Sequence, residues 1–435
     1  MTRILDRAFA RGDLDLEALE SAARDAALGR AAQALGRFMS AVGAAAPQTP
    51  VVCPKCGQRM QGTGQRSKSI LTILGQANYA RSRYQCPHCA AVCYPADELL
   101  DLSGTSRSPG VRRQLSRLGA KEPFHEVAED LEELAGIKVS RKDAERIAEA
   151  IGEDVEQWDA RERCKTRFAQ TPPCDSPKTI EHLYIEMDGT GVPMTPWELQ
   201  GRKGKQPDGS AKTREAKLGC VFTQTALNEQ GRPMRDPAST IFTGAIEDCK
   251  AFGWRIYAQA VRAGLFAAKR VVVLADGAEW IRNLAEFHFP KATRIIDFYH
   301  ALEHVGALSR ALFMRPDAAD QWRERWCGLL EQGKVETILE QAAARMPRDP
   351  RHNLDAWREY GYFDTNKECM RYQAFREQGL FVGSGVVEAG CKNVVGKRLK
   401  QSGMQWTVQG ANSIIALRCA SLSTRLTEYW NQRTA

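Results

Sequence analysis

Three acidic residues stand where a carboxylate can do chemistry. Asp188 and Asp276 each close an apolar run and are followed directly by glycine, in "YIEMDGTG" and "VVVLADGAEW". Glu388 lies in "SGVVEAGCK", near the expected start of a helix, with Gly383, Ser384 and Gly385 small enough to admit a backbone or a substrate. One aspartate before a glycine at a strand end reads as a turn. Two matched strand ends say more, because ligands of α/β sheets bind beyond the carboxyl ends of the strands. Carboxylates gathered there repel one another unless a divalent cation lies between them. Two aspartates and a helical glutamate suit two Mg²⁺ (or Mn²⁺) ions about 3.5–4 Å apart, an arrangement that activates a water or a 3′-hydroxyl and stabilises the leaving oxygen of a phosphoryl transfer.

A second chemistry is written in cysteine. Cys53 and Cys56 form one CxxC turn and Cys86 and Cys89 another, with 29 residues between the pairs. Each turn aims two thiolates at one tetrahedral ion, so the two together predict a structural Zn²⁺ site in a zinc ribbon. A redox dithiol would need only one such pair. Cys93 is either a spare thiol or a swapped ligand. Of the 13 cysteines, Cys220, Cys249, Cys391 and Cys419 are scattered singly through the sequence and read as reduced core residues.

The elements that must position these groups follow from composition and periodicity. A chain of 435 residues predicts two to four domains. No apolar run approaches the roughly 18 residues of a membrane span, and the acid-bearing N-terminus lacks the apolar core of a signal peptide. A cytoplasmic protein without a membrane partner is expected. The net charge of +8 permits a nucleic-acid partner without requiring one. Residues 1–48 read as a helical arm, 49–100 as the zinc ribbon, 101–155 as three helices, and 156–180 as a charged helix running into a Pro-rich linker. In "AGIKVSRKDAERI" a Gly turn is followed by Ser140 as an N-cap and by Arg141 and Lys142 in the first helical turn. That is how the recognition helix of a helix-turn-helix begins, although a helical bundle with a solvated charged face would read alike.

From 181 the pattern is α/β. "KRVVVLADG" is the kind of aliphatic strand that is buried on both faces. Lys392, Lys397, Arg398 and Lys400 follow Glu388 at helical or near-helical steps and could hold phosphates beside the metal ions. Arg202, Lys203, Lys205, Lys212, Arg214 and Lys217 form a basic loop, suited either to gripping DNA or to plain solvation. Trp322, Trp326 and Trp406 are candidates for stacking on unpaired bases, with core packing the better reading of the first two.

The segments "YIEMDGTGVPM", "VVVLADGAEWI", "IIDFYHALEHV", "GLFVGSGVVEAGCKNVVGKRLKQSGMQWTVQGANSIIALRC" and the tail "YW" resemble bacterial insertion-sequence DDE transposases of the ISKra type, over most of the chain from about 181 onward. The resemblance implies an α/β RNase H-like catalytic core (181–304 and 381–435) with an α-helical insertion (305–380). Asp188, Asp276 and Glu388 would be its first, second and third acids. The interval of about 110 residues between the last two acids requires that insertion. In Mutator-like relatives a Cys or Asp, two residues and a His follow the second acid. Asp297 and His300 in "DFYH" match that pair and are expected to position rather than react, with Asp297 as the substitute should Asp276 not serve. His304 is one helical turn on and could share a face, and even a zinc ion, with His300. The function implied is binding of terminal inverted repeats, Mg²⁺-dependent strand cleavage, and joining of the 3′-hydroxyl to target double-stranded DNA by at least a homodimer. A non-catalytic DNA-binding descendant, and a nuclease that cuts without joining, are the alternatives.

Overall fold

The run "HLYIEMDGTGVP" forms the central strand of a five-stranded mixed sheet, and its alternation decides which side chains reach the site. The computed structural model describes residues 16–45, 49–168, 180–204 and 206–433. The first part of the expected arm, much of the expected linker, and Lys205 lie outside the described residues. The chain divides into two units, Met1–Ala148 and Glu149–Ala435.

In the first unit, helix α1 (Leu16–Ala44) packs on a three-stranded antiparallel sheet of β1 (Gln61–Thr72), β2 (Gly75–Gln85) and β3 (Val92–Cys93). The arm is therefore not free-standing. Gly36 and Gly43, two helical turns apart, let α1 touch the backbone of β2. A Cβ would lie 2.4 Å from the Asn78 carbonyl oxygen at Gly36, and 2.2 Å from that of Ala80 at Gly43. Met39 of α1 joins Ile70, Ala77, Tyr79 and Leu102 in one core cluster. Three helices follow: α2 (Pro109–Gly119), α3 (Phe124–Ala135) and α4 (Arg141–Phe168). Ser108 caps α2, Gly136 ends α3 in the left-handed region at φ 65°, and Ser140 Oγ accepts the Asp143 N–H at the start of α4.

Helix α4 runs past 155, where a domain boundary was expected. Its acids beyond 155 are paired within the second unit. Glu156 accepts two bonds from the buried Arg255 guanidinium (2.8 and 2.9 Å), and Asp159 accepts from Arg425. Burial opposes both carboxylates, and the guanidiniums beside them hold their pKa values below the usual range nonetheless.

The second unit's sheet contains β4 (Ile180–Pro193), β5 (Thr213–Gln224), β6 (Ile241–Ala245), β7 (Ala268–Ala275) and β8 (Thr293–Ile296), in the order β8-β7-β4-β5-β6. The first three strands in sequence form an antiparallel meander, and β7 and β8 run parallel to β4. Helix α5 (Cys249–Arg262) crosses over from β6 to β7, and α6 (Glu279–His288) from β7 to β8. Leu183, Ile185 and Met187 of β4 are buried against Phe252, Ile256, Ile281 and Leu284 of those helices. The intervening residues, Tyr184, Glu186, Asp188 and Thr190, face the other side.

Helices α7 (Phe298–Leu312), α8 (Pro316–Glu331), α9 (Val335–Ala343), α10 (Leu354–Asn366) and α11 (Tyr372–Glu377) fill the stretch expected to be a helical insertion. Trp326 is fully buried there, as the packing reading required. The chain returns through α12 (Gly385–Gly390), a wide π-turn (Cys391–Gly396) and one more turn (Lys397–Leu399), then α13 (Val408–Leu422) and α14 (Arg425–Arg433). Among the described residues no helix is long and apolar enough to cross a membrane.

Candidate active site and metal centre

Asp188 does not end its strand. β4 pairs with β5 as far as Pro193↔Thr213, so Gly189 and Gly191 are strand residues and make no turn. They are small because β5 crowds them: a Cβ at Gly189 would lie 2.5 Å from the Glu215 carboxylate, and at Gly191 2.9 Å from Thr213 Oγ1. What ends near Asp188 is the pairing with β7, at Glu186↔Leu274. Continuing that register by two residues sets Asp188 opposite Asp276. On the other side, β8 pairs with β7 up to Ile296↔Ala275, and the next residues are Asp297 and Asp276. Three neighbouring parallel strands thus present an aspartate at one level.

The three carboxylates differ in what holds them. Asp188 Oδ1 accepts its neighbour Gly189 N–H at 2.6 Å. Its pKa is raised, first by burial and then by the charge of Asp276, against the Cys391 thiol, the Gly189 N–H and His300. Asp276 is part-buried, and its Oδ1 accepts from Ala278 N at 2.9 Å. Asp297 is buried with both oxygens engaged. Oδ1 accepts from His300 N at 2.6 Å, while Oδ2 accepts from Ser384 N and Ser384 Oγ at 2.5 and 2.8 Å. Its carboxylate joins the β8 end to the start of α12.

Glu388 rides on that helix, which docks along the outward face of β4 in three steps. Val387 N–H donates to Glu186 Oε2 at 2.8 Å. The Cys391 thiol, its pKa raised by burial and by the charge of Asp188, lies beside that carboxylate. Lys400 Nζ donates to Thr190 Oγ1 at 2.5 Å. Gly390 permits the approach, since a Cβ there would lie 2.7 Å from Phe242. Glu388 itself is half exposed, with Oε2 3.9 Å from Lys392 Nζ. The oxygens of Asp188, Asp276 and Glu388 do not gather tightly. Among the described residues, the metal-capable group within 4.8 Å is the cysteine set. Strand register and helix docking bring the three elements together, and the Glu388 side chain lies outward.

The histidines and the insertion join this level from the side. His300 and His304 have Nε2 atoms 3.2 Å apart, and His304 Nδ1 lies 2.5 Å from the buried Glu359 carboxylate. Tyr362 stacks on His304 at 3.7 Å and donates to the Asp276 carbonyl at 3.0 Å. Among the described residues no metal-capable group of three includes His300 and His304, which are joined to each other and to Glu359 by hydrogen bonds.

Of the basic residues, Arg141, Lys142, Lys392, Lys397 and Lys400 are exposed. Arg398 is not. It is fully buried, with its guanidinium 5.1 Å from the centroid of the buried Trp406 ring. The alternation that made 397, 398 and 400 look alike ignored the π-turn, which shifts Arg398 inward. Neither Arg398 nor Trp406 is on the surface for DNA.

Sequence reasoning missed Glu186. It is fully buried two residues before Asp188, and its Oε1 has no partner among the described residues. Burial pushes its carboxyl up to about 8, with Asp297 adding to the shift and the Val387 N–H opposing it. The signal was present as a glutamate inside "LYIEMD", in phase with Asp188. Tyr362 had no local signal, because only the folded insertion brings it to Asp276.

In the first unit, Cys53, Cys56, Cys86 and Cys89 have all their sulfur atoms within 4.8 Å of one another. The pairs Cys53–Cys89 and Cys56–Cys86 are at 3.5 Å. A tetrahedral zinc with bonds near 2.3 Å requires sulfur separations of about 3.8 Å, so the donor set fits. Both knuckles close alike: Gly57 N–H donates to Cys53 O and Ala90 N–H to Cys86 O, at 2.9 and 3.0 Å, and both residues have positive φ. Cys93 lies outside the set, its thiol 3.5 Å from Met60 sulfur.

Metal analysis of the purified chain is expected to find one zinc ion, lost in Cys86→Ser and kept in Cys93→Ser. For Glu186 the sign follows from its raised pKa. The folded chain keeps this proton up to about pH 8, while the unfolded chain loses it near the ordinary glutamate value. Stability from this group is full below the unfolded pKa and is lost as pH rises through the folded one. The Tm of Glu186→Gln relative to wild type should therefore climb as pH is raised from about 5 to about 9. A pH-independent difference would contradict the buried neutral acid.

The family profile that matches lies within the second unit. The profile of an uncharacterised protein family, UPF0236, matches residues 265–432. The UPF0236 protein in vanSb 3′region of Streptococcus gallolyticus is 22% identical over 374 residues, covering 81% of this chain and 72% of that protein. Among solved structures, the Drosophila P element transposase strand transfer complex aligns over 76% of this chain and 82% of its own, at 10% identity and a TM-score of 0.27.

Proposed function

We propose that this chain is a DDE transposase of the ISKra type, acting on double-stranded DNA as a homodimer or larger assembly. The carrying observation is the β4–β7 register, which sets Asp188 opposite Asp276 beneath the docked helix of Glu388. The strand order β8-β7-β4-β5-β6, with an antiparallel meander and two parallel strands, supports an RNase H-like core. The helices after β8 support the insertion.

Asp188, Asp276 and Glu388 would hold Mg²⁺ or Mn²⁺. The fit rests on hard oxygen donors and on a raised Asp188 pKa, due first to burial and then to the charge of Asp276. When bound, such ions would supply a nucleophilic oxygen and stabilise a leaving one. The half-exposed Glu388 would turn inward from Lys392 to complete the set. Asp297, through Ser384, fixes where the helix of Glu388 begins, and Tyr362 steadies the backbone at Asp276. Lys392, Lys397 and Lys400 line the approach with positive charge for phosphates.

In the first unit, α2, α3 and α4 support a helix-turn-helix reading, with Arg141 and Lys142 exposed at the start of the third helix. The zinc ribbon would hold its strands together beside the DNA.

A strand-transfer assay with the cognate ends and Mg²⁺ tests the proposal. Wild type should give joined products, and Asp276→Ala none. Cleavage without joining would make the chain a nuclease. DNA binding without any chemistry in wild type would leave a non-catalytic DNA-binding protein.

A further inference from the structure

Beyond the end of β4 the chain builds a surface that the three acids do not use. The turn Pro196–Leu199, the start of β5 and the loop 401–405 enclose an open groove of about 860 Å³. Trp197 is its largest apolar wall and is 68% exposed. Pro196, Leu199 and Met404 continue the apolar lining. The walls are fixed by backbone bonds: Thr195 N–H donates to the Trp406 carbonyl at 2.9 Å, and Trp406 N–H to the Pro193 carbonyl at 3.1 Å. Glu198, which would repel an anion, is occupied, accepting from Val408 N at 3.0 Å and Arg214 at 3.3 Å.

Charge surrounds this apolar wall on one side. Lys212 lines the groove, and an adjoining hollow of about 270 Å³ shares Ala211 with it and carries Arg202 and Lys203. All three cations are exposed, and although Lys212 feels the charge of Asp208, none is in a salt bridge within 4.0 Å among the described residues. Lys217, by contrast, is neutralised by Glu215 at 2.9 Å. A flat aromatic face with free cations beside it fits a ligand that is apolar in its ring and anionic in its backbone. That is an unpaired nucleotide of a DNA strand. Asp188 and Pro193 are five strand residues apart, a distance of ~17 Å, which is about half a turn of duplex.

We infer that Trp197 and the groove beside it bind an unpaired base of the DNA strand, with Lys212, Arg202 and Lys203 on its phosphates. This rests on the DNA-processing reading above and adds a contact for single-stranded DNA outside the three acids. Because the tryptophan is on the surface, its replacement leaves the fold intact.

The test reads binding alone, with the full chain in buffer without added Mg²⁺ or Mn²⁺. One probe is a blunt duplex; the other is the same duplex with a few unpaired thymidines at one 3′ end. Wild type should bind the tailed duplex about tenfold more tightly, as stacking of bases on an aromatic ring provides. Trp197→Ala should lose that preference while binding the blunt duplex as before, and Trp197→Phe should keep most of it. A wild type without the preference, a preference that survives Trp197→Ala, or an equal loss on both duplexes would each overturn the inference and leave the transposase reading standing. A wild type that binds neither duplex would overturn both.

Discussion

The second unit depends on one docking contact. A helix carrying a candidate ligand lies along the face of the strand that carries another. Three steps fix it: Glu186 with Val387 N–H, Asp188 with the Cys391 thiol, and Thr190 with Lys400. Strand residues two apart on one face are separated by roughly 6–7 Å. A regular helix places residues at a different pitch, so it cannot follow them for long. The π-turn at Cys391–Gly396 interrupts the regular pitch in the middle of the contact. The first step uses a buried glutamate whose second oxygen has no partner among the described residues, an arrangement that costs about 1–3 kcal/mol. A neutral carboxyl at this depth avoids the much larger cost of a buried charge.

That contact explains which parts of the site could be read in advance. Asp188 and Asp276 stood out because aliphatic strands run directly into them, and the β4–β7 pairing ends two residues before both, at Glu186↔Leu274. The reason given for Asp188 was wrong in detail. Asp-Gly suggested a turn, but both glycines stay in the strand because β5 side chains crowd them. Asp297 and His300 were suggested by resemblance, and Asp297 is buried with both oxygens hydrogen-bonded. Glu186 was overlooked because a carboxylate within an apolar run looks like noise unless its phase with Asp188 is counted. Arg398 was misplaced because helical spacing was extended through a turn that is not regular. Tyr362 and Glu359 meet their partners only through contacts across more than fifty residues, which no local pattern encodes.

The first unit shows the same contrast. The cysteine spacing carried the metal site almost completely, because two CxxC turns leave few ways to place four sulfur atoms. The docking of α1 was not legible. Its signal is a pair of glycines seven residues apart, and in an alanine-rich helix these look like ordinary small residues. Only the backbone of β2 passing within contact distance shows why a side chain is excluded there. The partners of the acids of α4 were not legible either, since Glu156 and Asp159 meet Arg255 and Arg425 about 100 or more residues away in sequence.

The central claim is that Asp188, Asp276 and Glu388 act on the same divalent ions, although Glu388 lies outward in this arrangement. Calorimetric titration of Mn²⁺ into the zinc-loaded chain tests it most directly. The account predicts binding by wild type and its loss in each of Asp188→Asn, Asp276→Asn and Glu388→Gln. Mn²⁺ binding left unchanged by Glu388→Gln, or by either aspartate substitution, would contradict it.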